Sequence, residues 1–321
     1  MSNTEKQGLI DRITKEFPKS TISALGDFST AMDYIPTGSV MLDLALGSGG
    51  FPLGRVIELY GVEGSGKTTI ANSIMSIGGR KGYRSLMVDA EFAYNKEFAQ
   101  KMFGYKEDMI DIVRPASGED AIGIMEAYID EGAANIIVLD SIATIMGEDE
   151  LEKDIDDPEK IGSHARIVNR MLKRVVPACG AKDIMFVVIN QLRDTIGYAP
   201  TMTGGRGLRC WKGVSVQFKP GKKIEEGGKV VGRKTEFLVS KNKFGNQFTQ
   251  GTFTLRWGNE PVGIDNITDT IDLAIEGKLI KANKGWYNYN ELNLRMVDLR
   301  DFFLSNPDEF DILTKEVLKG F

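Results

Sequence analysis

A glycine-rich segment carries the residues best suited to chemistry. It reads Gly61-Val62-Glu63-Gly64-Ser65-Gly66-Lys67-Thr68 and fits the pattern G-x-x-x-x-G-K-[ST]. Glycines allow consecutive backbone N–H groups to curl around a phosphate, and the start of a following helix adds partial positive charge. In this pattern Lys67 reaches the β- and γ-phosphates and the Thr68 hydroxyl ligates Mg²⁺. The segment therefore predicts a nucleotide site rather than a glycine loop without a ligand. The expected contacts are Gly61, Glu63, Gly64, Ser65, Gly66, Lys67, Thr68 and Thr69.

Three acidic or amide side chains follow apolar runs that have the pattern of buried strands. Because the carboxyl ends of parallel strands meet at one edge of a sheet, these side chains would lie near the phosphate loop. Asp140 would support the metal, unless it caps a helix. Glu91 could polarise a water for attack on the γ-phosphate, unless it is a solvated loop acid. The amide of Gln191 could sense that phosphate. The preceding runs are Leu86–Val88, Ile136–Leu139 and Ile184–Ile189.

The middle of the chain, from about Tyr34 to Gly258, alternates such runs with longer stretches of helical periodicity. The run Val56–Tyr60 leads straight into the phosphate loop. Short β-branched runs that are apolar on both faces are typical of buried parallel strands. The alternation predicts an α/β fold, a mostly parallel sheet with helices on both faces. The helical stretches are Thr68–Gly78, Asn95–Met102, Gly118–Gly132 and Ser163–Val176.

The two ends of the chain have a different character. Leu9, Ile10, Ile13 and Phe17 at helical spacing, followed by Pro18, predict a short N-terminal helix that packs on its own core or on another subunit. We expect three parts: an arm at 1–33, a core at 34–258 and a small α/β lobe at 259–321. In the lobe, Asp269–Ala282 and Val297–Leu318 are predicted to be helical and Trp286–Tyr289 extended.

The composition excludes several classes of protein. Hydrophobic residues make up 42% of the 321 and charged residues 26%, as in a globular rather than a disordered chain. Two cysteines and one histidine cannot build a cysteine-based zinc site or a histidine-rich metal centre. No apolar run reaches the roughly 18–20 residues that span a bilayer, and the N-terminus lacks the pattern of a signal peptide. We therefore expect a cytoplasmic protein. A net charge of −5 still allows a local basic groove.

Two segments have the composition of a nucleic-acid surface. In the first, four basic residues recur at helical spacing, although such stripes are most often solvated helix faces. The second, Arg193 to Trp211, is rich in glycine, hydroxyl groups and arginine and has no carboxylate after Asp194. Backbone N–H groups and arginines of this kind can follow a phosphodiester strand. The basic stripe consists of Arg166, Arg170, Lys173 and Arg174.

Nearly the whole chain resembles the bacterial and phage RecA-type recombinases. The resemblance rests on short motifs in family order with nearly family spacing, whereas a generic P-loop ATPase would share only the phosphate loop and the metal aspartate. The motifs are Pro36-Thr37-Gly38-Ser39-Val40-Met41-Leu42-Asp43, Gly49-Gly50-Phe51-Pro52-Leu53-Gly54-Arg55, Asp89-Ala90-Glu91, Asn190-Gln191-Leu192-Arg193, Thr203-Gly204-Gly205 and Lys241-Asn242-Lys243.

The resemblance implies a RecA-like P-loop ATPase core with ATP and Mg²⁺ as cofactors. Phe98 would stack on adenine, unless it is a buried helix residue, and Asn95 would also contact the nucleotide. Lys241 and Lys243 would reach the ATP of a neighbouring subunit, although a Lys-Asn-Lys loop is usually just solvated. The residues implied in catalysis are Glu91, Lys67, Gln191, Lys241 and Lys243, and those implied at the metal are Thr68 and, through water, Asp140.

The resemblance also implies two DNA-binding loops, at about 153–165 and 193–209. The protein would form a helical filament of itself on single-stranded DNA, pair that strand with a homologous duplex and exchange strands, with DNA-stimulated ATP hydrolysis. Ile161 and Ile196 would wedge between base triplets. The implied DNA contacts are Ile161, Arg166, Asn169, Lys173, Arg193, Ile196, Gly197, Thr203, Gly204, Gly205, Arg206 and Arg209.

Three other functions also use a P-loop. A hexameric helicase shares the ATPase core, but the C-terminal lobe and the Thr203-Gly204-Gly205 loop disfavour it. A small-molecule kinase works as a monomer or dimer and would not form filaments on DNA. A scaffold that binds ATP only as structural glue would not need a glutamate at position 91.

Overall fold

The computed structural model describes residues 2–17, 32–151, 162–193, 201–202, 205–257 and 262–320. The chain separates into two compact units, residues 1–33 and 34–321. The described part of the first unit is a helix, as predicted, and a capping box closes its first turn: Ser2 and Glu5 each accept a hydrogen bond from the other's main-chain N–H. Within the described ranges, no helix is both long and apolar enough to cross a bilayer.

Fifteen strands and eleven helices follow one another along the described residues. The strands are β1 Tyr34–Ile35, β2 Phe51–Pro52, β3 Val56–Gly61, β4 Ser85–Asp89, β5 Ile110–Val113, β6 Ile136–Asp140, β7 Met185–Arg193, β8 Thr201–Met202, β9 Val214–Glu226, β10 Lys229–Asn242, β11 Gln250–Arg256, β12 Gly263–Ile264, β13 Lys281–Asn283, β14 Trp286–Tyr289 and β15 Leu292–Leu294. The helices are α1 Asn3–Glu16, α2 Val40–Leu46, α3 Lys67–Arg80, α4 Lys96–Phe103, α5 Gly118–Asp130, α6 Glu148–Leu151, α7 Ser163–Ala181, α8 Gly205–Trp211, α9 Asn266–Glu276, α10 Met296–Ser305 and α11 Pro307–Gly320.

Six neighbouring strands run parallel and form the half of the sheet that carries the phosphate loop. Their order is β9-β3-β7-β6-β4-β5. β3, β4 and β6 are buried along their whole length, which explains why their sequences are apolar on both faces. The four strands predicted from the sequence all lie in this half, and the predicted mostly parallel α/β fold is confirmed.

The other half of the sheet is antiparallel, and the sequence prediction missed it. β10 pairs with β9 and β11, and β11 pairs with β12, all antiparallel. β9 and β10 form a hairpin whose two connecting residues, Gly227 and Gly228, both have positive φ, 55° and 75°. A Gly-Gly pair between alternating strands is a hairpin signal, because type I′ turns need positive φ at both positions. The Gly227-Gly228 pair is therefore the sequence feature that marks this hairpin.

Helices cover both faces of the parallel half. Ile70 and Ile74 of α3 pack into one hydrophobic core beneath the sheet. The second core lies on the opposite face and is formed by the buried residues of α5 and α7 against the sheet. This layering fixes the sheet edge from which the phosphate loop emerges.

Residues 262–320 contain a three-stranded antiparallel sheet, β13-β14-β15, and form a third hydrophobic core together with Val40 of α2. The helix predicted over Asp269–Ala282 is wrong at its end, because α9 stops at Glu276 and Lys281–Asn283 forms β13. Lys278 has φ 61°, a left-handed conformation that turns the chain out of the helix. The extended segment Trp286–Tyr289 is confirmed, and the helical region Val297–Leu318 is confirmed as two helices that meet at Asn306.

Candidate functional site

The phosphate loop joins β3 to α3 and depends on glycine at two positions. Gly61 has φ 154° and Gly66 has φ 92°, where side chains other than glycine are strained. A Cβ atom on Gly61 would lie 2.1 Å from the Phe218 main-chain oxygen, and one on Gly66 would lie 2.9 Å from Leu255 Cδ1. No described side chain caps α3, so the first N–H groups of this helix remain available to an anion.

Lys67 lies inside the curve of the loop. It is buried, and its Nζ donates hydrogen bonds to the carbonyl oxygens of Gly61, at 3.2 Å, and Val62, at 2.8 Å. Burial lowers the pKa of Lys67, and the carboxylates of Asp140, Glu91 and Glu63 oppose that shift. The ammonium is therefore held where phosphate charge is expected.

Thr68 and Asp140 meet beside the loop. Thr68 Oγ1 donates a hydrogen bond of 2.7 Å to Asp140 Oδ2. Burial raises the pKa of Asp140 to about 6, against the Thr68 hydrogen bond, which lowers it. The sequence predicted this pair from separate motifs, and the parallel register of β3, β7 and β6 brings the two ends together.

The residues around the loop suit Mg²⁺ held together with a nucleotide. Within the described parts of the chain, no cluster of three His, Cys, Asp or Glu side chains could hold a metal by itself. Mg²⁺ bound with a nucleotide needs no such cage, because it keeps several waters and takes one or two protein oxygens plus phosphate oxygens. Thr68 and Asp140 supply those oxygens, so the donor set fits the ion.

Glu91 and Gln191 are in direct contact at the same edge of the sheet. Gln191 Nε2 donates a hydrogen bond of 2.7 Å to Glu91 Oε1. The main-chain N–H of Glu91 donates to the carbonyl oxygen of Asp140, at 3.2 Å. The structure thus brings the expected water-activating carboxylate, the expected phosphate sensor and the metal aspartate into one group.

Asp89 holds the segment that carries Glu91. Its buried carboxylate accepts hydrogen bonds from the main-chain N–H groups of Ala93 and Tyr94, at 3.0 and 3.2 Å. It also accepts one from Arg114 Nε, at 2.9 Å. The sequence motif contained Asp89 but suggested no role for it. The structure gives it a positioning role.

A cavity of about 280 Å³ opens beside the loop. Phe98 lines it and has 52% of its surface exposed, so Phe98 is not a buried helix residue. Asn95 lies at the start of the same helix, where its Oδ1 accepts a hydrogen bond of 2.9 Å from the Phe98 N–H and caps α4. The lining residues are Gly64, Ser65, Gly66, Lys67, Thr68, Thr69, Phe98, Met102, Arg233, Leu255, Arg256 and Trp257.

The Lys241-Asn242-Lys243 turn lies at the end of β10, away from this cavity's lining. Asn242 is buried and fixes the turn, since its Nδ2 donates to the Leu46 carbonyl oxygen and its Oδ1 accepts from the Phe244 N–H. Lys241 Nζ donates a hydrogen bond of 2.9 Å to the carbonyl oxygen of Arg209. Burial and then the charges of Lys243 and Lys212 lower the pKa of Lys241. The turn is therefore tied to α8.

The basic stripe of α7 divides into two kinds of residue. Arg170 Nη1 lies 3.2 Å from Glu119 Oε1, and Arg174 makes two hydrogen bonds of 2.6 Å to Glu126. Both arginines are thus bound to α5. Arg166 and Lys173 are exposed and have no carboxylate partner among the described residues. Among the described residues, Arg166 and Lys173 are therefore the cations of the stripe that have no carboxylate partner.

Helices α7 and α8 pack closely and bring the two predicted DNA segments together. A Cβ atom on Gly207 would lie 1.8 Å from Asn169 Oδ1 and 3.7 Å from Leu172 Cδ1. Arg209 of α8 is exposed. Gly205 and Arg206 are described only as helical backbone, and Arg193 only as strand backbone. The predicted contacts Ile161, Ile196, Gly197, Thr203 and Gly204 lie outside the described residues.

Sequence reasoning missed a buried polar cluster behind the phosphate loop. Glu58, in the middle of β3, accepts hydrogen bonds from Lys212 Nζ at 2.5 Å, Ser215 Oγ at 2.6 Å and Asn190 Nδ2 at 3.0 Å. An acid within an apolar strand is itself the signal, because a buried charge requires a partner. The one histidine of the chain, His164, also lies nearby, with its Nε2 2.9 Å from the carbonyl oxygen of Ile142, two residues after Asp140.

Known proteins resemble this chain in sequence over most of its length. Residues 5–263 match the family model described as the RecA N-terminal domain. The chain is 36% identical to Protein RecA of Clostridioides difficile, covering 89% of this chain and 82% of that protein. It is 36% identical to Protein RecA of Bacteroides thetaiotaomicron, covering 92% and 90%. It is 33% identical to Protein RecA of Acidothermus cellulolyticus, covering 96% and 90%. The chain therefore belongs to the RecA family, whose members are DNA-dependent ATPases that promote recombination by strand exchange.

Proposed function

We propose that this recombinase uses ATP with Mg²⁺ and acts as a helical filament on single-stranded DNA. One observation carries the proposal. Strand β7 places Gln191 against Glu91 and ends two residues later at Arg193, where the second predicted DNA segment begins. A change at the γ-phosphate that moves Gln191 would therefore reach the DNA segment through one continuous strand.

The residues around the phosphate loop would divide the work of hydrolysis. The loop N–H groups and Lys67 bind the phosphates, while Thr68 and Asp140 hold the metal, which supplies charge neutralisation at the transferred phosphate. Glu91 orients a water and accepts its proton. Gln191 reports the γ-phosphate. We further propose that Lys241 and Lys243 complete the nucleotide site of a neighbouring subunit. Phe98 would stack on the adenine, and Asn95 would also contact the nucleotide.

The DNA surface would consist of the free cations of α7, the exposed face of α8 and the segments that connect to them. Homology would be tested by base pairing between the two DNA molecules, so the protein needs no contacts to base edges. Affinity for single strands should then depend weakly on sequence and fall steeply with salt. Because nucleotide and DNA would favour the same state, each should tighten the binding of the other.

We propose three functional parts. Residues 1–33 would be an oligomerisation arm that docks on a neighbouring subunit, residues 34–258 the ATPase core, and residues 259–321 a C-terminal lobe. The contact between α9 and the core supports a lobe of fixed position: Asn266 Oδ1 accepts from the Val40 N–H at 3.0 Å and its Nδ2 donates to the Gly38 carbonyl oxygen at 2.6 Å.

The test is ATP hydrolysis by the native protein and by Lys67→Ala, each with and without single-stranded DNA, with the same samples imaged. We expect DNA-stimulated turnover and regular helical filaments that require ATP, both absent in Lys67→Ala. Stimulated turnover with closed rings would favour a helicase instead. A rate of ATP hydrolysis that single-stranded DNA does not change would refute the proposed assignment of the two DNA segments.

A further inference from the structure

Arg233 reaches the phosphate loop from the antiparallel half of the sheet. It lies on β10, opposite Leu255 of β11. Its Nη1 donates a hydrogen bond of 3.1 Å to the carbonyl oxygen of Gly64. Its guanidinium carbon lies 5.4 Å from the centre of the Trp257 ring, within cation–π distance. Arg233 thus bridges the loop and an aromatic side chain, and no motif in the sequence pointed to it.

The guanidinium of Arg233 faces the cavity with most of its hydrogen-bond donors unused by the described residues. Three cations line that space among the described residues: Lys67, Arg233 and Arg256. Lys67 is bonded to two loop carbonyls. Arg256 is buried and paired with Glu226. The described part of the chain offers Arg233 no carboxylate, and the Gly64 contact uses one of its five N–H donors.

The position of Arg233 separates it from the hydrolytic group. The cavity it lines contains Phe98 and Trp257, two exposed aromatic side chains, but neither Glu91 nor Gln191. A ligand that fills this cavity with its phosphates on the loop would place its sugar and inner phosphates beside the guanidinium. Interactions made equally in the ground state and the transition state change affinity rather than the chemical step.

We propose that Arg233 is a nucleotide-binding residue that contacts the ribose–phosphate part of the nucleotide. Its planar guanidinium, at cation–π distance from Trp257 and anchored to Gly64, is suited to bind phosphate or ribose oxygens with its remaining donors. The inference rests on the proposed use of ATP at this loop. Arg233 would support the binding of nucleoside diphosphate and triphosphate alike.

The experiment measures binding of ADP and of the non-hydrolysable analogue AMP-PNP, with Mg²⁺, to the full chain by titration calorimetry. Arg233→Gln should bind both about tenfold more weakly, and the salt dependence of binding should decrease because one phosphate contact is lost. Arg233→Lys, which keeps the charge but not the planar fork, should lose less. The matched control is Lys229→Gln, which removes an exposed charge from the same strand and should bind as the native protein does. At saturating ATP, kcat of Arg233→Gln should stay within about twofold of native.

Each other outcome has a defined meaning. Native affinity and native salt dependence in Arg233→Gln would overturn the role of Arg233. A fall in kcat with unchanged ADP affinity would also overturn it, since Arg233 would then act in hydrolysis. If Arg233→Gln melts at a lower temperature, nucleotide binding is measured with Arg233→Met, which keeps an apolar stem against Trp257 without the charge. Weaker binding by Arg233→Met supports the role of Arg233, and native affinity overturns it. If the native protein itself binds neither nucleotide, the proposed function fails, independently of Arg233.

Discussion

Gln191 Nε2 donates a hydrogen bond to Glu91 Oε1 across 2.7 Å, although Gln191 lies on β7 and Glu91 follows β4, two strands that β6 separates in the sheet. In this state the amide occupies one oxygen of the carboxylate that is expected to activate water. A ligand that draws Gln191 toward itself would release that oxygen. The contact therefore links the proposed phosphate sensor directly to the proposed water-activating carboxylate.

Glu91→Gln should retain nucleotide and DNA binding while hydrolysis falls by about 10²–10⁴-fold, the usual contribution of a positioned general base. The substitution keeps the size of the side chain and its place beside Gln191, so filaments should still form. Single-turnover hydrolysis and filament imaging check both parts. Normal hydrolysis by Glu91→Gln would show that another group activates the water.

Lys212→Met should destabilise the protein by about 3–5 kcal/mol, because it leaves the Glu58 carboxylate buried without its cation. Glu58 and Lys212 have 1% and 7% of their surfaces exposed and are joined at 2.5 Å. Replacing both, in Glu58→Met/Lys212→Met, should recover much of the loss. Denaturant unfolding of the two variants and of Lys173→Met, an exposed control, tests this. A double variant no more stable than the single one would contradict the pairing.

Arg166→Ala and Lys173→Ala should each weaken binding to single-stranded DNA and reduce the slope of log K against log salt by about 0.7, the value for one phosphate contact on a single strand. Arg170→Ala and Arg174→Ala serve as comparisons, because those arginines are bound to Glu119 and Glu126 and should change the slope less. Fluorescence anisotropy over a range of salt concentrations measures all four. Equal effects of all four substitutions would mean that the ion pairs with α5 do not keep Arg170 and Arg174 from contacting DNA.

Asp269 should make the native fold less stable as pH rises from about 4 to 6. Burial raises the pKa of Asp269 from 3.8 to about 6, although Thr254 and Lys234 favour the carboxylate; nearby Asp265 adds to the rise. The folded state therefore binds the proton more tightly than the unfolded state, and this contribution is lost as pH increases. A rise from 3.8 to about 6 corresponds to about 3 kcal/mol.

The measurement is the free energy of unfolding of the native protein and of Asp269→Asn at about pH 4.5 and 7. Most of the expected loss of stability falls between these two values. Asp269→Asn cannot titrate, so its stability relative to the native protein should increase with pH. Asp311→Asn, which alters an exposed carboxylate of the same lobe, is the control. If the difference in free energy of unfolding between Asp269→Asn and the native protein is the same at both pH values, the pKa of Asp269 does not change on folding.

The sequence by itself determined the parallel half of the fold and the phosphate site. Strands such as Val56–Gly61 are buried on both faces, so their composition alone identifies them. The phosphate loop is local, because its glycines, lysine and threonine are consecutive in the chain. The parallel pattern also predicted that Asp140, Glu91 and Gln191 lie near the loop at one edge of the sheet, while their hydrogen bonds, Thr68 to Asp140 and Gln191 to Glu91, came from the structure.

Only the tertiary structure decided which charges are free and which are bound. Arg166 and Arg170 look alike in the sequence, but α5 packs against α7 and supplies Glu119 to Arg170. Arg233 and Gly64 are separated by 169 positions and meet because the antiparallel half of the sheet folds over the phosphate loop. Long-range pairing of this kind depends on the packing of whole elements, which the local periodicity of a sequence does not encode.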